Sequence, residues 1–135
     1  MTLMQSERSD LSSLDKVELH ELADALLLDD PAAIEQCVRF FEAETKGLWH
    51  GRARALMARR LKHCPLTPGQ RTRLVRRVIE RLLAGDISEQ FRDQLRLALH
   101  LDAPRLVGAA QACSSDGRPY VRRYAEWVLS HSWAS

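Results

Sequence analysis

Few residues of this sequence have the types and spacing that catalysis or metal binding requires. The segment His20-Glu21-Leu22-Ala23-Asp24 begins like a zinc-binding helix, but Asp24 stands where such a helix carries its second histidine. His63 and Cys64 are adjacent, but one histidine with one cysteine does not complete a metal site. The sequence contains no glycine-rich phosphate loop, no paired catalytic carboxylates and no nucleophile elbow. We therefore predict a protein that is not an enzyme, with no metal and no cofactor.

Three cysteines, Cys37, Cys64 and Cys113, lie far apart in the sequence. Their odd number and their spacing predict neither a disulfide framework nor a CxxC motif, so we expect them to be small core residues. No apolar run approaches the ~20 residues of a membrane span, and the start MTLMQSERSD lacks the apolar core of a signal peptide. We expect a cytoplasmic protein with no membrane partner. Arginine outnumbers lysine 17 to 3, a usage common in bacteria, so a bacterial source is expected.

Charged residues are distributed unevenly along the chain. Residues 1–44 carry eleven acidic and three basic residues, a net charge of −8. Residues 46–81 carry eleven basic residues and one acidic residue, a net charge of +10. Residues 82–135 carry six of each. Such a separation predicts either a charged binding surface or internal pairing between the two segments.

An all-α fold is predicted by the apolar residues, which recur every three or four positions without the alternation typical of strands. We expect a flexible segment over 1–11 and a single domain over 12–135, because a chain of 135 residues buries one core. About seven helices are expected. Their connections are short, so neighbouring helices should be antiparallel.

Cap signals predict where the first three helices begin and end. Ser12 or Ser13 is the expected cap of the first helix, which runs to about residue 28. Pro31 is expected at the first position of the second helix. The third helix should carry Trp49 on its inward face and end before Pro65, because a proline disfavours helical backbone in the residue before it.

Similar signals mark the later helices. Thr67-Pro68-Gly69-Gln70 predicts a capping box at the start of the fourth helix. Asp86, together with Glu89, is the expected cap of the fifth helix. Asp102 is expected to open the sixth helix, and Asp116 to cap the seventh, which starts near residue 119.

Two segments that start thirty residues apart, 86–99 and 116–129, share one pattern. Each has an aspartate, then an apolar residue directly before an arginine, then apolar residues three and seven positions after that arginine. The second segment resembles the second helix of a HEAT repeat, whose pattern is Asp-x-x-Pro-x-Val-Arg-x-x-Ala-x-x-x-Leu. The residues that match this pattern are Asp116, Pro119, Val121, Arg122, Ala125 and Leu129.

The resemblance implies a short α-solenoid over 31–131, with three helix pairs and the first helix as an N-terminal cap. In such proteins the second helix of each pair lines a concave face, and they generally act as scaffolds or binding surfaces. We therefore predict an adaptor or regulator that binds a protein partner through a basic second-helix face. The expected partner-binding residues are Arg52, Arg59, Arg92, Arg96, Arg118, Arg122, Arg123 and Trp127.

Nucleic-acid binding is the alternative function, because clustered arginines release counterions from phosphates. Its expected residues are Arg54, Arg60, Arg71, Arg73, Arg76, Arg77 and Arg81. A helix-turn-helix over 75–99 is disfavoured, since its reading helix would present Glu89 and Asp93 to the phosphate-walled groove. A third interpretation is a solvated basic surface neutralised by the acidic first two helices.

Trp127 lies on a side of the last helix distinct from the apolar stripe of Val121, Ala125 and Val128. An exposed tryptophan beside arginines is typical of an interface hot spot. Two alternatives remain: Trp127 packs against the tail that carries Trp133, or the last helix forms a homodimer.

Overall fold

The structure, a computed structural model, describes residues 11, 13–45, 49–88 and 90–132. Within these residues it contains six α-helices and no strand, which confirms the all-α prediction. The helices are α1 (Lys16–Ala25), α2 (Pro31–Glu42), α3 (His50–Leu61), α4 (Pro68–Ala84), α5 (Phe91–Ala112) and α6 (Pro119–His131), with a 3-10 turn (Leu26–Leu28) after α1. Of the described helices, none combines the length and the apolar composition that a membrane crossing needs.

Helix α1 has a different cap from the one that the sequence suggested. The carboxylate of Asp15 accepts the backbone N–H of Glu18 at 2.9 Å, and the Glu18 carboxylate accepts the N–H of Asp15 at 3.2 Å. This capping box satisfies two amides that the helix leaves without partners. The cap is therefore Asp15 instead of Ser13, and Ser12 lies outside the described residues.

Three helix starts agree with the sequence. Pro31, Pro68 and Pro119 each stand at the start of their helix, where a missing N–H costs nothing. The hydroxyl of Thr67 accepts the N–H of Gln70 at 3.1 Å, and the side-chain oxygen of Gln70 accepts the N–H of Thr67 at 3.0 Å. The predicted capping box of α4 is therefore confirmed.

The predicted fifth and sixth helices are one element, α5, with a break in its backbone at Asp102 (φ −160°, ψ 77°). The carboxylate of Asp102 accepts the N–H of Arg105 at 3.3 Å, as a helix cap does. The expected cap at Asp86 is wrong, because α5 begins at Phe91 without a side-chain cap. Glu89 lies outside the described residues. Seven separate helices are thus not found in the described part of the chain.

Helix α5 lies at the centre of the fold and packs against α3, α4 and α6. Helix α1 packs on α2 and α3, while α2 packs on α4. The largest fully buried apolar side chains are Leu26, Phe40, Phe41, Met57, Leu61, Leu74, Leu82, Phe91, Leu95, Leu97 and Leu106. Cys37 and Cys113 are buried in this core as predicted, and Cys64 is half-buried. Burial raises the pKa of Cys37 to about 12, so this thiol stays protonated at neutral pH.

Three arginines from α3 and α4 donate hydrogen bonds to the carboxyl end of α2 and to the segment that follows it. Arg54 donates to the carbonyl of Thr45 at 2.5 Å and to its hydroxyl at 2.8 Å. Arg77 and Arg81 donate to the carbonyls of the last two residues of α2. Arg54 and Arg81 are only 7% and 5% exposed. Their guanidinium groups supply donors for carbonyls that lack partners at a helix end, where the helix dipole also favours a cation.

A carboxylate network joins α2 to α4. Arg73 donates to Glu35 at 3.0 Å and to Glu42 at 2.6 Å. Gln70 and Arg39 also donate to Glu35, at 3.0 and 2.9 Å. Partial burial raises the pKa of Glu35, but these three donors outweigh burial and lower the pKa from 4.5 to about 2.

The Glu35→Gln substitution should lower the free energy of unfolding at neutral pH by about 1–2 kcal/mol. Because the pKa of Glu35 is lower in the folded than in the unfolded chain, its carboxylate stabilises the fold above about pH 4.5, and this contribution is lost as the pH falls toward 2. Urea unfolding should therefore show a weaker pH dependence for the variant between about pH 5 and pH 2. Glu80→Gln, at an exposed residue of α4, is the matched control. An unchanged pH dependence in Glu35→Gln would contradict this assignment.

Candidate partner-binding face

Helices α3, α5 and α6 bring four side chains into one continuous strip. Arg59 Nη1 on α3 lies 2.8 Å from Asp93 Oδ2 on α5, and Arg96 Nη1 lies 3.3 Å from Asp93 Oδ1. The guanidinium of Arg96 lies 5.3 Å from the ring centre of Trp127 on α6, within cation–π distance. We call these four residues the arginine–tryptophan strip.

The strip is positively charged on its solvent side. The side chains of Arg59 and Arg96 are 50% and 51% exposed, whereas that of Asp93 is 12% exposed. One carboxylate at the base cannot neutralise two guanidinium groups, so a positive potential faces solvent. Asp93 was not predicted as a site residue, although its position three residues before Arg96 on one helix is a signal for such pairing.

A cleft of about 280 Å³ between α1 and α3 adjoins one end of the strip, and we call it the α1–α3 cleft. The residues that line it are Lys16, Leu19, His20, Trp49, Arg52, Ala53, Leu56, Arg59 and Gln90. The Lys16 ammonium lies 4.5 Å, and the Arg52 guanidinium 5.2 Å, from the ring centre of Trp49. Three cationic side chains, those of Lys16, Arg52 and Arg59, one histidine and no acidic side chain are among these described lining residues.

The sequence suggested that Trp49 lies on the inward face of α3, and the structure contradicts this. Trp49 precedes the helix and is 36% exposed, with a left-handed backbone at φ 71°. Gln90, also on the α1–α3 cleft, has φ 59°. Each such residue costs on the order of 1–3 kcal/mol, and such strain concentrates at functional sites. Of the three described non-glycine residues with positive φ, two therefore border one cleft; the third is Asp29.

A second cleft, of about 620 Å³, lies between α5 and α6 at the other end of the strip, and we call it the α5–α6 cleft. The residues that line it are Gly85, Ile87, Arg92, Tyr120, Arg123, Tyr124, Glu126, Trp127 and Ser130. Trp127 is half-buried and stacks on His131, with ring centres 4.2 Å apart. Trp133 lies outside the described residues. Three expected partner-binding residues, Arg92, Arg123 and Trp127, thus share this cleft.

Arg118, expected in the partner surface, is engaged at the carboxyl end of α4. Its guanidinium donates to the carbonyls of Ala84 at 2.7 Å and Leu83 at 2.8 Å. Gly85 leaves the room for this contact: it has φ 72°, and a Cβ there would lie 2.6 Å from Arg118 Nη1. Arg118 therefore holds the start of α6 against the end of α4.

Asp116 does not cap α6 in the way that the sequence suggested. Its carboxylate accepts the backbone N–H of Arg118 at 2.9 Å and also the Arg118 guanidinium, which lowers the pKa of Asp116 to about 2. Arg122, another expected partner-binding residue, donates to the carbonyl of Asp116 at 2.6 Å. Arg118 and Arg122 thus stabilise the turn before α6.

The arginines of the nucleic-acid alternative are mostly engaged inside the molecule. Arg54 and Arg81 are buried, so neither can reach a phosphate backbone. Four others contact acidic side chains or a carbonyl: Arg60 with Asp24, Arg71 with the Leu101 carbonyl, Arg73 with Glu35 and Glu42, and Arg77 with Glu44 and Glu80. Arg76 is exposed and has no partner among the described residues. The acidic first helices therefore pair with much of the basic segment.

In the part of the chain that the structure describes, no three metal-ligating side chains come together. No family model, no curated protein and no solved structure matches this chain. The functional interpretation below therefore starts from the geometry of the strip and its two clefts.

Proposed function

We propose that this chain is a non-enzymatic interaction module, an adaptor or regulator that binds a protein partner through the face formed by α3, α5 and α6. The observation that carries the proposal is the arginine–tryptophan strip with a cleft at each end. Arginine and tryptophan are among the residues enriched at interface hot spots. Their concave surroundings supply pockets in which partner side chains can be desolvated.

We also propose that the helices form a short HEAT-like stack of two layers. Contacts of α2 with α4 and of α3 with α5 are those expected between consecutive helix pairs. Helix α1 packs on α2 and α3, which suits a terminal cap. In this arrangement α3, the first half of α5 and α6 are the second helices, and the strip lies on them.

Nucleic-acid binding has less support than a protein partner. Six of the seven arginines expected for it contact carbonyls or acidic side chains of the same molecule. A guanidinium held by internal acceptors has fewer donors left for phosphate oxygens and releases fewer counterions. The two arginines of the strip share one carboxylate, Asp93, and keep half of their side-chain surface exposed, and Arg96 also contacts the ring of Trp127.

Capture of the partner from a lysate of the source cells tests the proposal. The bait is the tagged full-length chain as wild type, as Arg59→Ala with Arg96→Ala, or as Arg76→Ala with Arg105→Ala. The last variant removes the same charge from exposed residues outside the strip. We expect one protein to bind the wild type and the control equally and to bind the strip variant at least tenfold less, which corresponds to about 1.4 kcal/mol. Equal capture by all three baits would refute the proposal, and circular dichroism checks that each variant is folded.

A further inference from the structure

The α1–α3 cleft has a chemistry of its own within the proposed face. Lys16 and His20 reach it from α1, and Arg52 and Arg59 from α3. Leu19, Ala53 and Leu56 add apolar surface. Basic side chains that converge in a concave site raise the local concentration of anions, because its low-dielectric walls focus the field.

We propose that the α1–α3 cleft binds a phosphate monoester. A monoester carries −1.5 to −2 charges near neutral pH and three strong acceptor oxygens, whereas a carboxylate carries one charge and two oxygens. Lys16 would act as a point charge, and Arg59, whose Nη1 donates to Asp93, can offer its remaining exposed donors to the phosphate oxygens. The apolar residues of the cleft would contact the carbon part of the ester.

Two residues on the rim of the cleft have uncommon backbone conformations. Trp49 and Gln90 both lie on it, and both have left-handed backbone conformations. The Trp49 ring lies within cation–π distance of Lys16 and Arg52, so it restrains both cations beside the cleft. Cations placed in advance lose less conformational freedom when an anion binds.

A monoester fits the cleft better than a phosphodiester chain. The cleft is a pocket of about 280 Å³ at one end of the strip, which suits one terminal group. A nucleic-acid backbone would need a continuous row of available cations, and the basic segment largely lacks one because its arginines pair internally. A phosphorylated side chain of the protein partner and a free phosphorylated small molecule both supply the required chemistry; the first of these sources rests on the proposed function.

Nuclear magnetic resonance of the full-length chain tests this inference. The indole N–H signal of Trp49, assigned with Trp49→Phe, is followed while AMP, a phosphoserine peptide, its unphosphorylated glutamate analogue or a 5′-hydroxyl DNA strand is added. We expect a saturable shift with at least one monoester, weakened at least tenfold in Lys16→Ala with Arg52→Ala and unchanged in Arg76→Ala. The monoester that binds more tightly identifies the source.

Two results would overturn the inference. The first is the absence of a saturable shift with either monoester. The second is equal binding of the glutamate peptide or of the 5′-hydroxyl DNA. The proposed function is tested separately by the capture experiment. If the Arg59→Ala, Arg96→Ala bait still fails to capture the protein partner, either result overturns only the phosphate inference and leaves the proposed function intact.

Discussion

Replacement of the buried Arg81 by methionine should lower the free energy of unfolding by about 2–4 kcal/mol. The Arg81 guanidinium donates to the carbonyl of Phe41 and, at 3.0 Å, to the side-chain oxygen of Gln94, which is itself fully buried. Methionine fills a similar volume but offers no donor, so buried acceptors would be left without partners. Burial, together with the charges of Arg54 and Arg77, lowers the pKa of Arg81. Methionine also removes a cation whose burial is unfavourable, and this gain offsets part of the loss of stability. We therefore expect a smaller loss than that of a buried ion pair from which one partner is removed.

Urea unfolding of Arg81→Met measures this effect, with Arg76→Met as the matched control on the same helix. Arg76 is exposed and has no partner among the described residues, so its variant should stay within about 0.5 kcal/mol of the wild type. Similar stabilities for Arg81→Met and the wild type would show that the hydrogen bonds of Arg81 contribute nothing to the stability of the fold.

The Trp127→Ala substitution is expected to weaken binding of the captured partner by about 10- to 100-fold, or about 1.4–2.7 kcal/mol. Trp127 lies where the strip meets the α5–α6 cleft, with Arg96 over its ring and His131 stacked on it. Its removal takes away a large aromatic ring of the face, the one over which the Arg96 guanidinium lies. A double-mutant cycle with Arg96→Ala, measured by urea unfolding of the chain alone, should give a coupling energy of about 0.5–1 kcal/mol, the usual size of an exposed cation–π pair.

Calorimetric titration with the purified partner measures these affinities. Leu28→Ala is the control, because Leu28 is 82% exposed and lies outside the face. Sedimentation of the chain alone tests the homodimer alternative, since a dimer through α6 would dissociate in Trp127→Ala. Unchanged partner affinity in Trp127→Ala would contradict the assignment of the hot spot.

Local signals in the sequence were enough to predict the all-α class and several of the helix starts. The capping box at Thr67 and the prolines at helix starts depend only on residues within one turn. Asp86 failed as a predicted cap because a local match does not say which residue begins the helix. The pairing of Arg81 with Phe41 joins residues forty positions apart, so no local pattern could reveal it.

Some residues of the candidate site were also predicted from the sequence, and others were not. The resemblance to HEAT repeats assigned Arg59, Arg96 and Trp127 to one second-helix face, and these three side chains lie close together in the structure. It did not identify Trp49, whose exposure depends on a left-handed backbone that the sequence does not encode in a recognisable motif. Arg118 was expected in the partner surface because of its charge, but the end of α4 offers it nearby carbonyls.

Photo-cross-linking to the captured partner tests the proposed face most directly. A photoreactive amino acid is placed either at Arg123, in the α5–α6 cleft, or at Arg76, on the exposed side of α4. We expect cross-links to the partner from position 123 and none from position 76. Cross-links from position 76 with none from position 123 would contradict the account and move the binding surface to the basic segment.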